Sequence, residues 1–246
     1  IKQNYIFWML SKNEQKKIHL LSEKKHRSKF GLFIAEGPKI IKELILEGYD
    51  FESIYSTEPI DFAPYKLINK STLNKISQLT NANNIIGIFK IPKTSNHLNS
   101  ESFSLALDSV SDPGNLGTII RLCDWFGIKN IYCSSDTVDC YNSKVVQSSM
   151  GSIARVKCHY IDLGTFLSKN KSTVYGATLN GISHYDNLYD KKGILVLGNE
   201  SHGISSTVLK EIDQCVTINS KGLGTNADSL NVATATAILL GEVFRS

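Results

Sequence analysis

Apolar and polar positions alternate along this chain in two periods, and the switches between them outline an α/β protein. Helical spacing runs from Glu14 to Leu21, and Phe30 to Ala35 then reads as a short strand ending at Glu36-Gly37-Pro38. Pro38 suits the first turn of a helix whose buried face is Ile40, Ile41, Leu44, Ile45 and Leu46. Ser53–Ser56 and Ile85–Ile91 are predicted strands, with a helix over Ser71–Leu79 between them. After the polar, aperiodic stretch Pro92–Ser102, the pattern predicts strands at Phe103–Leu107, Ile128–Ser134, Arg155–Tyr160, Val174–Thr178, Gly193–Leu197 and Cys215–Ile218. Helices are predicted at Leu116–Phe126 (capped by Gly127), Lys144–Ile153, Thr165–Lys169, Ser206–Ile212 and Val232–Phe244. Regular alternation of strand and helix predicts a largely parallel sheet covered on both faces. The predicted domains are 1–95 and 103–246, joined by a linker at 96–102.

Composition narrows the class. The 246 residues are 41% hydrophobic and 20% charged, which suits a soluble globular protein. The net charge is +4, yet residues 1–30 alone carry eight Lys or Arg against two Glu, leaving the remainder slightly acidic. A basic arm on a near-neutral body suits a polyanionic partner or a solvated helix face. The five cysteines are odd in number and none are spaced Cys-x-x-Cys, so neither a zinc ribbon nor a disulfide framework is expected; all five are read as buried thiols in a reducing cytoplasm. The apolar cluster Ile6–Leu10 is too short for a signal-peptide core, and no run reaches transmembrane length, so no membrane partner is expected; the cysteine spacing likewise leaves no metal expected.

Three segments carry candidate chemistry. Asp112-Pro113-Gly114-Asn115-Leu116-Gly117, running on to Arg121, lies between a strand and a helix, where parallel sheets bind ligands and helix amides face an anion. Arg121, one turn inside the helix, could turn its guanidinium to the same opening and grip a phosphate. Leu197-Gly198-Asn199-Glu200-Ser201-His202-Gly203 is a buried strand entering a glycine-bounded loop, with Glu200 at the tip to accept from Arg121 or a ligand. Ser229-Leu230-Asn231-Val232-Ala233 opens a helix, and its Ser229 or Asn231 could serve only as a cap, Ser229 first. Gly222-Leu223-Gly224-Thr225-Asn226 reads as a loop around a ligand. Neither a Walker A loop nor a Gly-x-Gly-x-x-Gly fingerprint is present, which argues against nicotinamide chemistry.

Together, Asn115-x-Gly117-x-x-x-Arg121, Leu197-Gly198-x-Glu200-x-x-Gly203 and Ser229-Leu230-Asn231-Val232 resemble the signature of the SpoU (TrmH-like) branch of the SPOUT RNA methyltransferases, over about Ser104 to Arg245. Lys24-Lys25-His26-Arg27 and Phe33-Ile34-Ala35-Glu36-Gly37 more loosely resemble the L30e-like substrate-binding domain often fused to that branch. The resemblance implies an α/β trefoil-knot domain with a parallel sheet behind a small α/β domain. It also implies a homodimer that uses S-adenosyl-L-methionine to methylate a ribose 2′-hydroxyl of RNA, with 23S ribosomal RNA as the substrate class. A tRNA methyltransferase and a non-catalytic RNA-binding or ribosome-assembly factor of the same fold are the alternatives. Carried over residue by residue, Arg121, Asn115, Glu200, Ser229 and Asn231 become the catalytic set. Gly198, Ile218, Leu230, Leu197 and Leu223 become the cofactor set, and Lys24, Lys25, Arg27 and Lys29 the RNA contacts. The chain departs from the family at Ile218-Asn219, where Ile-Pro is frequent, and in a longer Gly222-Leu223-Gly224 loop.

Overall fold

The computed structural model describes residues 8–93, 102–187, 189–220 and 229–245. The Gly222–Asn226 loop, Leu223 and most of the 96–102 linker lie outside them. The chain forms two compact units, residues 1–94 with 139–154 and residues 95–138 with 155–246.

In the first unit, α1 (Lys12–Leu20) opens with a reciprocal cap: Ser11 Oγ accepts from the Glu14 amide, and Glu14 accepts from the Ser11 amide. After α2 (Lys24–Phe30) come β1 (Leu32–Glu36), α3 (Pro38–Leu46), β2 (Phe51–Ser56), β3 (Lys66–Leu67), α4 (Lys70–Ile76) and β4 (Ile85–Lys90). Pro38 occupies the first turn of α3, as its fixed φ and missing N–H allow. The sheet order is β1-β4-β2-β3, with β4 antiparallel to both neighbours and only β2 and β3 parallel. Alternation of strand and helix therefore does not give a parallel sheet here: β4 returns between β1 and β2 in the opposite direction. Leu32, Ile34, Ile86 and Ile88 point to one face, against Ile18 of α1 and Leu73 and Ile76 of α4. Phe33 points to the other, where its ring meets Tyr49 and Tyr141. Residues 139–154, later in sequence than the second unit's first strands, thus help close this core; their helix Ser143–Ser148 packs on β1.

The buried Arg27 joins the two stretches of this unit. It is 3% exposed; Nε and Nη2 donate to Asp139 Oδ2, the former at 2.8 Å, and Nη1 donates to the carbonyls of Leu21 and Ser22 at 2.9 and 2.8 Å. The expectation that Arg27 contacts RNA is therefore corrected: its donors are committed inside the unit.

The second unit runs β5 (Ser104–Leu107), α5 (Pro113–Trp125), β6 (Asn130–Cys133), then past α6 (Ser143–Ser148) to β7 (Lys157–Tyr160), α7 (Leu163–Ser168), β8 (Val174–Ser183), β9 (Ile194–Leu197), α8 (Ser206–Leu209), β10 (Gln214–Thr217) and α9 (Val232–Val243). Its six strands are all parallel in the order β10-β8-β9-β5-β6-β7. Ala106, Ile194 and Val196 pack with α7 and α8 residues Leu163, Leu167 and Val208. Alternate residues from Phe103 onward point to the opposite face, where Phe103 meets Phe244 at the end of α9, and α9 packs with α5. β8 runs five residues longer than its pattern suggested. The pattern ends the strand at Thr178, but Val216 and Thr217 take up pairing again at Ile182 and Ser183 after a register shift. Cys123, Cys133 and Cys140 are buried, whereas Cys158 and Cys215 are only partly so. Burial pushes the Cys123 thiol well above its ordinary range.

Candidate active site

Connections leave β5 toward β6 and β7 on one side, while β9 leads by way of α8 to β10 on the other. The crevice beyond the carboxyl ends of β5 and β9 is the switch point at which such sheets bind ligands. The first two motifs open there, the Asp112–Gly117 segment after β5 and the Gly198–Gly203 turn after β9.

Both loops are fixed before any ligand is considered. Asp108, 4% exposed, donates its amide to the Leu197 carbonyl at 2.9 Å and accepts the Ser205 amide on Oδ2 at 2.7 Å. Asn199 closes the second turn: Oδ1 accepts from the amides of Ser201 and His202, and Nδ2 donates to the Ser109 carbonyl at 2.8 Å. Its main chain exchanges two 2.9 Å hydrogen bonds with Gly203. A Cβ at Gly198 would lie 2.2 Å from the Gly203 carbonyl carbon, so only glycine lets the turn fold this tightly onto the strand end. Ser109 holds a left-handed φ of 62°, and its amide donates to Ser134 Oγ at 2.8 Å. Asp108 and Ser109 carry no motif signal, so sequence reasoning missed these supports.

On that frame three side chains from distant motifs join. Asn231, not Ser229, caps α9, with Oδ1 accepting from the amides of Ala233 and Thr234 at 3.0 and 3.2 Å. Its Nδ2 therefore turns outward and donates to Asn115 Oδ1 at 2.8 Å; Asn115 Nδ2 in turn donates to Glu200 Oε1 at 2.7 Å. The helix terminus thus sets both amide orientations, and the chain of donors ends on a carboxylate. Asp112 caps α5 by accepting the Asn115 amide at 2.8 Å, which fixes the middle member from behind.

Arg121 stands apart. Six residues after Asn115 on α5, it lies about a third of a turn around the helix, on the exposed face shared with Gly114, Thr118 and Trp125. It forms no hydrogen bond or ion pair among the described residues, and Glu200 takes its donor from Asn115 instead. Ser229 is exposed and forms no hydrogen bond among the described residues. Leu197 is a core strand residue, 1% exposed, whose carbonyl is already used by Asp108.

The main chain at Gly198, Ile218 and Leu230 enters no hydrogen bond among the described residues. Gly198 and Ile218 are half-buried and the Leu230 side chain is 49% exposed. Neutral amide and carbonyl edges beside aliphatic carbon fit a flat heteroaromatic base and a sulfonium, to which they add no competing cation. The residues therefore fit the expected cofactor. No cluster of three or more metal-ligating side chains occurs among the described residues. None of the described helices is long and apolar enough to cross a membrane.

Comparison with known proteins identifies the family and the fold. The model of the SpoU rRNA Methylase family matches residues 102–241, more than half of the chain, and that of the MRM3-like substrate binding domain matches 12–87. The chain is 28% identical over 239 residues to the 23S rRNA (guanosine(2553)-2'-O)-methyltransferase RlmP of Bacillus subtilis, covering 92% of each chain. Among solved structures, a TrmH-family protein from Porphyromonas gingivalis aligns with a TM-score of 0.85 at 36% identity, covering 97% of this chain and 99% of that one. An AdoMet-bound rRNA methyltransferase from Sinorhizobium meliloti aligns with a TM-score of 0.84 at 28% identity, covering 96% of each.

Proposed function

The chain belongs to the SpoU rRNA methylase family, and on that premise we propose that it methylates a ribose 2′-hydroxyl of large-subunit ribosomal RNA, using S-adenosylmethionine. The observation that carries this reading is the Asn231–Asn115–Glu200 chain, which unites three motifs at the switch point.

The cofactor would supply the methyl group as an electrophile on a sulfonium, held along the main chain of Gly198, Ile218 and Leu230. Everything else falls to side chains of the protein. A preorganised Glu200 carboxylate, with one oxygen fixed by Asn115, gives a constant negative edge for orienting a hydroxyl donor. The guanidinium of Arg121 is a planar fork of donors with no acceptor, so its role is to clamp the phosphate next to the target ribose and align the 2′-oxygen for attack. The 2′-hydroxyl proton leaves to that phosphate or to water.

Lys24, Lys25 and Lys29 on the exposed side of α2 extend the grip on phosphate to the first unit, without reading sequence. A homodimer and the family's trefoil knot belong to the same proposal. The dimer draws support from Trp125 (85% exposed), Ile238 and Phe244 on or beside the packed helices α5 and α9. The cytoplasm is the proposed site of action.

Ribosomal RNA from cells lacking this gene, incubated with the protein and methyl-tritiated S-adenosylmethionine, should acquire label in one alkali-resistant dinucleotide. Label in tRNA alone would select the tRNA alternative. Absence of label from both RNAs, with wild-type protein that binds the cofactor, would refute the assignment.

A further inference from the structure

Two exposed aromatic rings of the first unit each carry a lysine at the ring. Trp8, 49% exposed, is pinned by its amide to the Leu67 carbonyl at 2.6 Å, and Lys66 Nζ sits 4.4 Å from its ring centroid. Phe30, 36% exposed at the end of α2, has Lys17 and Lys29 Nζ each 5.9 Å from its centroid, and the His26 ring stacks against it at 6.0 Å and 16°. The two spots share one surface along α1. Glu14 pairs with Lys66 at 3.9 Å, and one turn further on Lys17 pairs with Glu52 at 2.8 Å. The buried Tyr55 lies within electrostatic reach of both carboxylates.

From this arrangement we infer that the α1 face of the first unit is a stacking platform for unpaired RNA bases, with Trp8 and Phe30 as the two stacking rings and Lys17, Lys29 and Lys66 as the phosphate-binding cations. This deepens the proposed function, on which it rests for the identity of the polyanion. Rings with partly open faces and adjacent ammonium groups are the recurring means of holding single strands without sequence preference. The ion pairs Lys17–Glu52 and Lys66–Glu14 are solvent-exposed and weak, so a phosphate can replace either carboxylate at little cost. A protein partner would need contiguous apolar area, whereas charged side chains separate these rings. A-form duplexes hide their bases, which excludes them from the rings.

The test uses the full chain and a fluorescein-labelled 12-nucleotide single-stranded RNA of mixed sequence, alone or annealed to its complement. Trp8→Ala with Phe30→Ala should weaken single-strand binding about tenfold or more and leave duplex binding and the salt slope unchanged. Trp8→Phe with Phe30→Tyr should keep wild-type affinity, which separates stacking from a folding defect. Lys17→Ala, Lys29→Ala and Lys66→Ala together should lower the salt slope by about 0.7 for each phosphate no longer neutralised. Single-strand affinity unchanged in the double alanine variant, or weakened equally for duplex, overturns the platform. Binding restored only by a protein from the ribosome, and not by bare RNA, does so too. Methyl transfer to ribosomal RNA measured on the same preparations separates the two readings. Transfer without ring dependence sinks the platform alone, and ring-dependent binding without transfer sinks the enzyme reading alone.

Discussion

Arg27 and Arg121 make an instructive pair. Both stand in sequence contexts that suggest a grip on RNA phosphate, one in a basic run and the other inside a motif. In the fold Arg27 is buried and donates to a carboxylate and two carbonyls, while Arg121 is exposed and has no partner among the described residues. A guanidinium whose donors are spent holds structure together, and one whose donors are free is available to a substrate. Local charge does not distinguish the two; only the inventory of partners does.

Substitutions at five positions probe that contrast. Arg27→Met should cost about 3–5 kcal/mol, because it strands Asp139 partly buried without its cation. Thermal melting should show the loss, and the surviving folded fraction should keep its turnover per molecule. Adding Asp139→Leu should recover much of that stability. Arg121→Ala should do the reverse, with methyl transfer falling by at least about 10²-fold while the melting temperature and calorimetric cofactor affinity stay put. Near wild-type turnover would remove Arg121 from the chemistry.

Asn231 tests the bonded cluster. Asn231→Ala loses a helix cap worth about 1 kcal/mol and also the donor to Asn115. Asn231→Asp keeps the cap acceptor but sets an oxygen against Asn115 Oδ1, so it should melt near wild type and still lose roughly tenfold in turnover. Equal activity in Asp and wild type would mean the amide chain is only scaffolding. The smallest effect concerns His159. Burial, helped by Lys157, holds its pKa below the ordinary 6.5. The unfolded chain therefore takes up a proton first as pH falls, and this stability, complete above pH 6.5, drains away below it. His159→Gln should flatten the acid side of a stability–pH curve, and an unaltered curve would show that the imidazole does not report there.

What is legible in the sequence follows what is local. Glycine and polar residues set directly against apolar strands mark both loops at the switch point, because a tight turn at a strand end demands such residues. The N-terminal proline of α3 and the left-handed Gly127 after α5 are equally plain. Pairings across distance are not. Nothing local tells whether Ser229 or Asn231 caps α9, or that Glu200 faces Asn115 rather than Arg121. The order β1-β4-β2-β3 depends on which strands become neighbours, and alternation along the chain says only which element follows which. Arg27 reads as solvated because its partner, Asp139, lies 112 positions away.

That same partner bears on any attempt to dissect the molecule. Tyr141, Asp139 and the helix Ser143–Ser148 complete the core around Phe33, yet the ribosome delivers them only after β6. A fragment ending at residue 95 would emerge with an open apolar flank and an uncompensated guanidinium. The amino-terminal half therefore waits, half-made, for a stretch that arrives in the middle of its neighbour's synthesis, and should not by itself be a cleanly autonomous folding unit.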